Sequence, residues 1–197
     1  VLVIGGTTFD SIVYLDKLPQ GQPQTLFASS PLNETLGSTG AGKALNLTKL
    51  GIDTTLHSVI GDDEYGHKII RKLKDAGVNF EYDFDPLGTE RHVNLLDPLG
   101  QRISIFVTQG SAQPALDLER LEKLIMECDI VVLNIISYTK QLIKLIEKHQ
   151  KPIWTDLHDY NLENQYHQPY IEAANYIFVS SDNLPEYHET MLQWMSQ

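Results

Sequence analysis

Short apolar runs alternate along the chain with segments of helical periodicity. The first run, Val1–Ile4, ends at Gly5-Gly6, which is typical of a buried parallel strand followed by a ligand-facing loop. This alternation predicts an α/β fold of the Rossmann type, a parallel sheet with helices on both faces. In the second half we expect strands at 130–135, 152–156 and 176–180, with helices near 117–127, 140–149, 169–174 and 184–195.

The first half of the chain carries two further helices with start and stop signals. Apolar residues at helical spacing occupy 40–50, and Gly51 ends the segment. A second helix opens at 61–64 and closes at Gly77. We expect a strand at 54–60 between them, which continues the β-α alternation.

Two regions, 11–36 and 89–108, do not fit that alternation. The second reads as a hairpin, because Arg91–Leu96 and Arg102–Thr108 are β-like and are joined by a turn at 97–100. We expect the two regions to pair as a small β-sheet lid on one α/β domain that spans 1–197. Within the first region the β-like pieces are Ser11–Leu15 and Thr25–Ala28.

Charge and cysteine content exclude several classes of partner. The 15 Lys and Arg against 26 Asp and Glu give a formal net charge of -11, which argues against nucleic acid and anionic membranes as partners. No apolar stretch reaches the length of a membrane span. The single cysteine, Cys128, forms no internal disulfide and fits a reducing compartment, so we expect a cytoplasmic protein.

Residues 37–44 read Gly-Ser-Thr-Gly-Ala-Gly-Lys-Ala and have three interpretations. A phosphate loop is disfavoured, because Ala44 has no hydroxyl for Mg²⁺ and no buried strand precedes the segment. A tight helix entry explains one or two of the glycines. Three glycines within six residues suggest that a ligand approaches the backbone closely. The third interpretation is a family resemblance.

The segment 37–44, followed by Leu50-Gly51 and by Gly61-Asp62-Asp63-Glu64-Tyr65-Gly66, resembles the first signature of the ribokinase-like (PfkB) carbohydrate kinases. Residues 5–10 are similar to the first-strand loop of that family, which supplies a sugar-binding Asp. Residues 18–21 and 89–112 are similar to its lid. The resemblance covers nearly the whole chain and agrees with the lid inferred from the residues.

The resemblance implies ATP- and Mg²⁺-dependent phosphorylation of a hydroxyl on a sugar or nucleoside that lies between the sheet edge and the lid. Asp10 fits the hydroxyl-binding role, because a carboxylate accepts hydrogen bonds from neighbouring hydroxyls. The implied substrate-binding residues are Asp10, Gly37, Ser38, Thr39, Gly40, Gly42 and Arg102. The implied nucleotide-binding residues are Asp156, Ser180 and Asn183.

The chain departs from the family pattern at several positions. Ser38 replaces the usual second Gly, and Gly42 replaces the usual Asn, which puts the identity of the sugar in doubt. Residues 180–183 read Ser-Ser-Asp-Asn where the family carries Asn-x-x-Glu for Mg²⁺ and phosphate. Ser181 or Asp182 serves equally well as a cap for the last helix.

The catalytic base of the family lies in a Gly-Ala-Gly-Asp segment, which does not occur after Asp156. We therefore assign no catalytic residue in this chain, and expect it to be incomplete at its C-terminus and inactive alone. The alternative is a non-catalytic sugar- or nucleoside-binding regulatory protein derived from such a kinase. The exposed strands of the lid also favour a lid-to-lid homodimer.

Metal chemistry other than Mg²⁺ has little support in the sequence. His158 lies near Asp156 and Asp159, and this is the only close cluster among the seven histidines. No His-Glu-x-x-His motif or cysteine pair accompanies it, so zinc is not expected and we assign no metal ligand.

Overall fold

The computed structural model describes residues 1–181 together with Asn183, Leu184, Glu186, Tyr187 and Glu189. The chain divides into two compact units, one formed by 1–4 with the residues from Leu118 onward, the other by Gly5–Asp117. The helix expected at 184–195 falls largely outside the described residues.

A six-stranded parallel sheet and a separate four-stranded sheet make up the β-structure. The strand order of the first is β10-β9-β8-β1-β4-β5, and that of the second is β3-β2-β6-β7. The α/β fold class expected from the alternation is confirmed. The strands are β1 Leu2–Ile4, β2 Thr8–Tyr14, β3 Asn33–Gly37, β4 Thr55–Ile60, β5 Asn79–Phe84, β6 Arg91–Leu96, β7 Arg102–Thr108, β8 Val131–Asn134, β9 Ile153–Asp156 and β10 Tyr176–Phe178.

The unit that contains 118 onward is built around β8 and β9, which are short, apolar and largely buried. Leu133 of β8 and Ile125 of the preceding helix are fully buried, which explains why their apolar spacing predicted these elements. The expected helix at 140–149 is divided into a 3₁₀ helix and an α-helix. The helices of this unit are α3 Leu118–Glu127, the 3₁₀ helix Ser137–Leu142, α4 Ile143–Lys148, the 3₁₀ helix Gln165–His167 and α5 Gln168–Ala173.

The Gly5–Asp117 unit carries the four-stranded sheet and two helices, α1 (Thr39–Lys49) and α2 (Glu64–Asp75). Ile69 and Leu73 of α2 are fully buried, whereas Ile70 is only half-buried. In the four-stranded sheet, which we call the lid sheet, β2 pairs with β3 and β7 with β6 in antiparallel fashion, while β2 and β6 run parallel.

The structure differs from the sequence expectations for four strands. β2 already begins at Thr8, and no strand forms at Thr25–Ala28, where Phe27 is 84% exposed. The strands β3 and β5 were not expected. β3 reads Asn-Glu-Thr-Leu-Gly and has little apolar character, so its extended backbone follows from pairing with β2 rather than from propensity.

Candidate functional site

The carboxylate of Asp10 lies in the lid sheet and is largely buried, with 8% of the residue exposed. The hydroxyl of Thr8 donates to its Oδ1 at 2.7 Å, and the amide Nδ2 of Asn94 on β6 donates to its Oδ2 at 3.0 Å. Asn94 is itself oriented by Ser104 Oγ, which donates to Asn94 Oδ1 at 2.7 Å. Side chains from β2 and β6 therefore hold one carboxylate, with support from β7, and each oxygen keeps capacity for a further donor.

Gly37, the last residue of β3, pairs with Thr8 on β2 and lies against the Asp10 side chain. A Cβ at position 37 would collide with the Asp10 carboxylate and the Thr8 hydroxyl. Glycine at this position thus lets the backbone approach the carboxylate. The conformational reason for glycine here is this close approach to Asp10, and the ligand-facing role expected for the segment stays a prediction.

Only Ser38 separates β3 from α1. Its backbone has φ 68° and ψ 157°, a combination that essentially only glycine adopts at low cost, and its side chain makes no capping hydrogen bond. Gly40 packs on the backbone of Gly5 and Gly6, where a Cβ would collide, whereas a Cβ on Gly42 would meet open space. Thr39 is exposed at the first helical position.

This geometry excludes the phosphate-loop interpretation of residues 37–44. A phosphate loop wraps its glycine-rich residues around the anion before the helix begins. Here the helix begins at Thr39, so residues 40–43 are helical, and the preceding β3 is a half-exposed edge strand.

His92 is a further polar neighbour of Asp10 that the sequence reasoning missed, and Glu90 contacts His92 in turn. His92 pairs directly with Asp10 across β2 and β6 and with Phe106 across β6 and β7. The signal that identifies His92 and Asn94 is their alternation on β6, which places both on the face of Asp10 once the parallel register is known.

Arg102 lies away from this cluster. It pairs with Leu96, four positions along β6 from His92, so it stands about 13 Å along the sheet from Asp10 at the usual strand rise. The structure therefore does not bring Arg102 to the carboxylate, and Ser104 occupies the position on β7 that interacts with the Asp10 network.

In the motif Gly61-x-Asp63-x-x-Gly66, the Asp63 side chain joins the start of α2 to Thr89. The Asp63 carboxylate caps α2 by accepting from the amides of Tyr65 and Gly66 at 3.0 and 2.9 Å. It also accepts from the amide and hydroxyl of Thr89 at 2.8 and 2.7 Å. Burial opposes ionisation, but these hydrogen bonds outweigh it and lower the pKa of Asp63.

The three implied nucleotide-binding residues gather around the loop 156–159 at the carboxyl end of β9. Asp156 Oδ1 accepts from the amide of His158 at 3.0 Å, and Ser180 donates its amide to the carbonyl of His158 at 2.6 Å. Asn183 Nδ2 donates to the carbonyl of Asp159 at 3.2 Å. Ligands of open α/β sheets bind at this end of the strands.

An open pocket of about 400 Å³ adjoins this loop and is lined by polar side chains, among them Asp159 and Asn183. Among the described residues, no group of three or more His, Cys, Asp or Glu side chains is arranged to hold a metal ion. The half-buried thiol of Cys128 is unsuited to nucleophilic chemistry, because burial raises its pKa. No helix in the described part of the chain is long and apolar enough to cross a membrane.

A six-stranded parallel sheet with helices and a second, four-stranded sheet is the fold of the ribokinase-like kinases. The crystal structure described as the microbiome-derived acarbose kinase Mak1 superposes with a TM-score of 0.86 and 27% identity, covering 99% of this chain and 65% of that one. The chain belongs to the pfkB family of carbohydrate kinases, whose profile matches residues 1–189.

Two curated relatives are similar over parts of the chain. The acarbose 7(IV)-phosphotransferase of Actinoplanes sp. is 35% identical over 106 residues, which are 54% of this chain and 35% of that protein. The ribokinase of Bacillus subtilis is 29% identical over 137 residues, which are 68% of this chain and 46% of that protein. The matched region is thus less than half the length of each of these relatives.

Proposed function

We propose that this chain is the substrate-binding part of a kinase that transfers a phosphoryl group from ATP to a sugar hydroxyl. The observation that carries the proposal is the Asp10 carboxylate, held by Thr8 and Asn94 with the backbone of Gly37 against it. Membership of the pfkB family supports the reaction class. The names of the Actinoplanes relative and of Mak1 suggest acarbose as one candidate substrate.

The Asp10 site suits neutral hydroxyl groups. An ionised carboxylate has room for about four donors, and Thr8 and Asn94 occupy one place on each oxygen. The remaining places on the two oxygens can accept two neighbouring hydroxyls of a sugar ring together. We place Gly37 and Ser38 beside those hydroxyls, Thr39 and Gly40 at the adjoining helix start, and Gly42 one turn further along α1.

For the nucleotide we propose the loop 156–159 with Ser180 and Asn183. The carboxylates of Asp156 and Asp159 and the amide oxygen of Asn183 are oxygen ligands of the kind that Mg²⁺ prefers when phosphates supply the rest of its coordination. Bound Mg²⁺ would neutralise phosphate charge, which is much of what phosphoryl transfer requires. The described residues of this loop would bind and orient the nucleotide, and we assign the catalytic base to no residue of this chain.

Isothermal titration calorimetry of the chain tests the proposal. The probes are acarbose, D-ribose and adenosine, each with and without Mg²⁺-ATP. We expect at least one of the three to bind, and Asp10→Asn to weaken that binding about 100-fold, because two charge-assisted hydrogen bonds are lost. Gln101→Ala, in the exposed turn between β6 and β7, is the matched control and should bind as the wild type does. Binding that Asp10→Asn leaves unchanged would refute the assignment.

The second candidate function is a non-catalytic sugar- or nucleoside-binding regulatory protein. The observation that favours it is Ser38, which occupies a conformation suited to glycine in the segment where the family carries Gly-Gly. Calorimetry separates the two functions. Saccharide binding without Mg²⁺-ATP binding supports the regulatory protein, whereas Mg²⁺-ATP binding that Asp156→Ala weakens supports the kinase.

We also propose that the protein forms a homodimer through the lid sheet. β7 is an edge strand, and Ile103, Ile105 and Val107 on it are 37%, 47% and 50% exposed. Exposed apolar edge strands favour pairing with another chain. Light scattering after gel filtration should give a dimer mass for the wild type and for Met126→Lys on α3, and a monomer mass for Ile105→Lys. A monomeric wild type would disprove this part of the proposal.

A further inference from the structure

The imidazole of His92 lies between two carboxylates. Its Nε2 is 2.9 Å from Glu90 Oε1, and its Nδ1 is 3.5 Å from Asp10 Oδ1. The His92, Asp10 and Glu90 side chains are only 13%, 12% and 23% exposed. The three groups therefore form a connected row, Glu90–His92–Asp10, that is largely shielded from water.

Two contacts fix the orientation of the ring. The hydrogen bond with Glu90 holds one end of the imidazole, and Phe106 on β7 packs on it with ring centroids 4.0 Å apart. Rotation of the ring would break the first contact and disturb the second. Nδ1 is consequently kept pointed toward Asp10 rather than left to sample several rotamers.

The Asp10 carboxylate needs a fixed plane if it is to accept two hydroxyls together. Thr8 holds Oδ1, and Asn94, which is oriented by Ser104, holds Oδ2. His92 is a further neighbour of Oδ1, and it is anchored from behind by Glu90. A ligand-binding group whose own rotamer is locked by such support is better organised for binding.

We infer that His92 is a positioning residue, which keeps the Asp10 carboxylate in its hydroxyl-accepting orientation, and that Glu90 acts through it. The inference rests on the proposed function, in which Asp10 binds the saccharide. A packing role alone would make His92 replaceable by any residue of similar size, at a cost in stability but with no specific effect on affinity.

Two substitutions separate these roles, because they each keep one end of the imidazole. The amide nitrogen of Asn reaches about as far as Nδ1, so His92→Asn keeps a donor for Asp10. The amide of Gln reaches about as far as Nε2, so His92→Gln keeps the contact with Glu90 and loses the one with Asp10. Both variants replace the aromatic ring by an amide and so lose the same packing on Phe106.

The first measurement is calorimetric affinity for acarbose or D-ribose, whichever binds the wild type. We expect His92→Asn to bind within about threefold of the wild type and His92→Gln about tenfold more weakly, because only the Asn variant keeps a polar neighbour for Asp10 Oδ1. Glu90→Gln should fall between the two. Gln101→Ala is the control. Equal affinity in the Asn and Gln variants, at any level, overturns the inference.

The second measurement needs no ligand and keeps the inference testable if neither saccharide binds. Crystal structures of the Asn and Gln variants report the orientation of the Asp10 carboxylate directly. We expect it unchanged in His92→Asn and rotated in His92→Gln. A carboxylate that keeps its orientation in both variants overturns the positioning role. Absence of saccharide binding in the wild type instead counts against the proposed function.

Discussion

The two helices of the Gly5–Asp117 unit begin in opposite ways. At the start of α2 the Asp63 carboxylate accepts from the amides of Tyr65 and Gly66 and joins the helix to Thr89. At the start of α1 Ser38 has a positive φ and makes no capping hydrogen bond with its side chain. The start of α2 is closed by the protein's own groups, which makes it a structural element.

The start of α1 lacks a side-chain cap, and we propose that it is a binding element. It lies directly after Gly37, whose backbone packs against the buried Asp10 carboxylate. A helix start offers backbone donors to hydroxyls and anions when no side chain caps it. We propose that the glycine-rich motif and the capped motif, which are adjacent in one family signature, serve different purposes: ligand approach in the first and fold stability in the second.

Removal of the Asp63 cap should give the largest effect. We expect Asp63→Ala to lower the free energy of unfolding by about 2–3 kcal/mol, since it leaves the α2 amides and Thr89 without their acceptor. Ser38→Ala should change it by less than about 0.5 kcal/mol, because no capping hydrogen bond is lost. Urea denaturation followed by circular dichroism measures both. Equal losses would remove the distinction between the two helix starts.

Two glycines of α1 test how closely that helix packs at its start. Gly40→Ala should lower the free energy of unfolding by about 2 kcal/mol, because the new Cβ collides with the backbone of Gly5 and Gly6. Gly42→Ala, in open space within the same helix, should raise it by about 0.5–1 kcal/mol through helix propensity. Urea denaturation measures the free energy of unfolding of both variants. A stabilised Gly40→Ala would show that the helix start is loosely packed.

Acid titration tests the hydrogen bonds of the Asp63 carboxylate by protonating it rather than removing it. The pKa of Asp63 in the folded protein lies below its ordinary value of 3.8. The ionised carboxylate therefore stabilises the fold above the unfolded-state pKa, and this contribution is lost as the pH falls through the folded-state value. We expect Asp63→Asn to lose less stability than the wild type as the pH falls from about 5 into the acid range, because only the wild type has this carboxylate to protonate. The effect should be smaller than that of Asp63→Ala at pH 7.

Asp85 also contributes to the loss of stability in acid, so both proteins in that comparison must contain it. Burial opposes its ionisation, but hydrogen bonds from Ser111 and from the amide of Leu87 lower its pKa as well. It is present in both proteins, so the difference between the two pH profiles isolates Asp63. Parallel profiles through the acid range would show that the pKa of Asp63 is the same in the folded and unfolded states.

Much of the fold could be predicted from the sequence because local patterns determine it. β6 and β7 have the bounds that their alternating residues and their intervening turn predict, and α1 and α2 follow their glycine and acidic start signals. β3 could not be predicted, because its extended form depends on a partner strand rather than on its own residues.

The candidate site was only partly predictable for the same reason. Asp10 and Gly37 lie in segments with a recognisable pattern. Asn94 and His92 join them only through the parallel register of β2 and β6, which links residues more than 80 positions apart and has no local signature. For Arg102 the sequence predicted a place in the site that the structure does not give it. Its position in a lid hairpin does not reveal its distance from Asp10, which depends on the register of β7 against β6.

Ser38→Gly is the smallest and most specific test of the start of α1. A non-glycine residue in this backbone region destabilises the fold by about 1–3 kcal/mol, which glycine would relieve. Glycine also raises the conformational entropy of the unfolded chain, which offsets about 0.4–1 kcal/mol of that gain. We therefore expect a net gain of about 1 kcal/mol in the free energy of unfolding. Denaturation in urea measures it, and a destabilised Ser38→Gly would show that the positive φ of Ser38 carries no strain.

The strain at Ser38 has a functional explanation if either its hydroxyl or its strained backbone contributes to binding. Ser38→Ala keeps the strained backbone and removes the hydroxyl, whereas Ser38→Gly removes both. If the hydroxyl contacts the saccharide, both variants should bind it several-fold more weakly in calorimetry, the effect of one neutral hydrogen bond. If only Ser38→Gly binds more weakly, the rigidity of the strained backbone is what the ligand requires, and the serine is kept for its conformation rather than its chemistry.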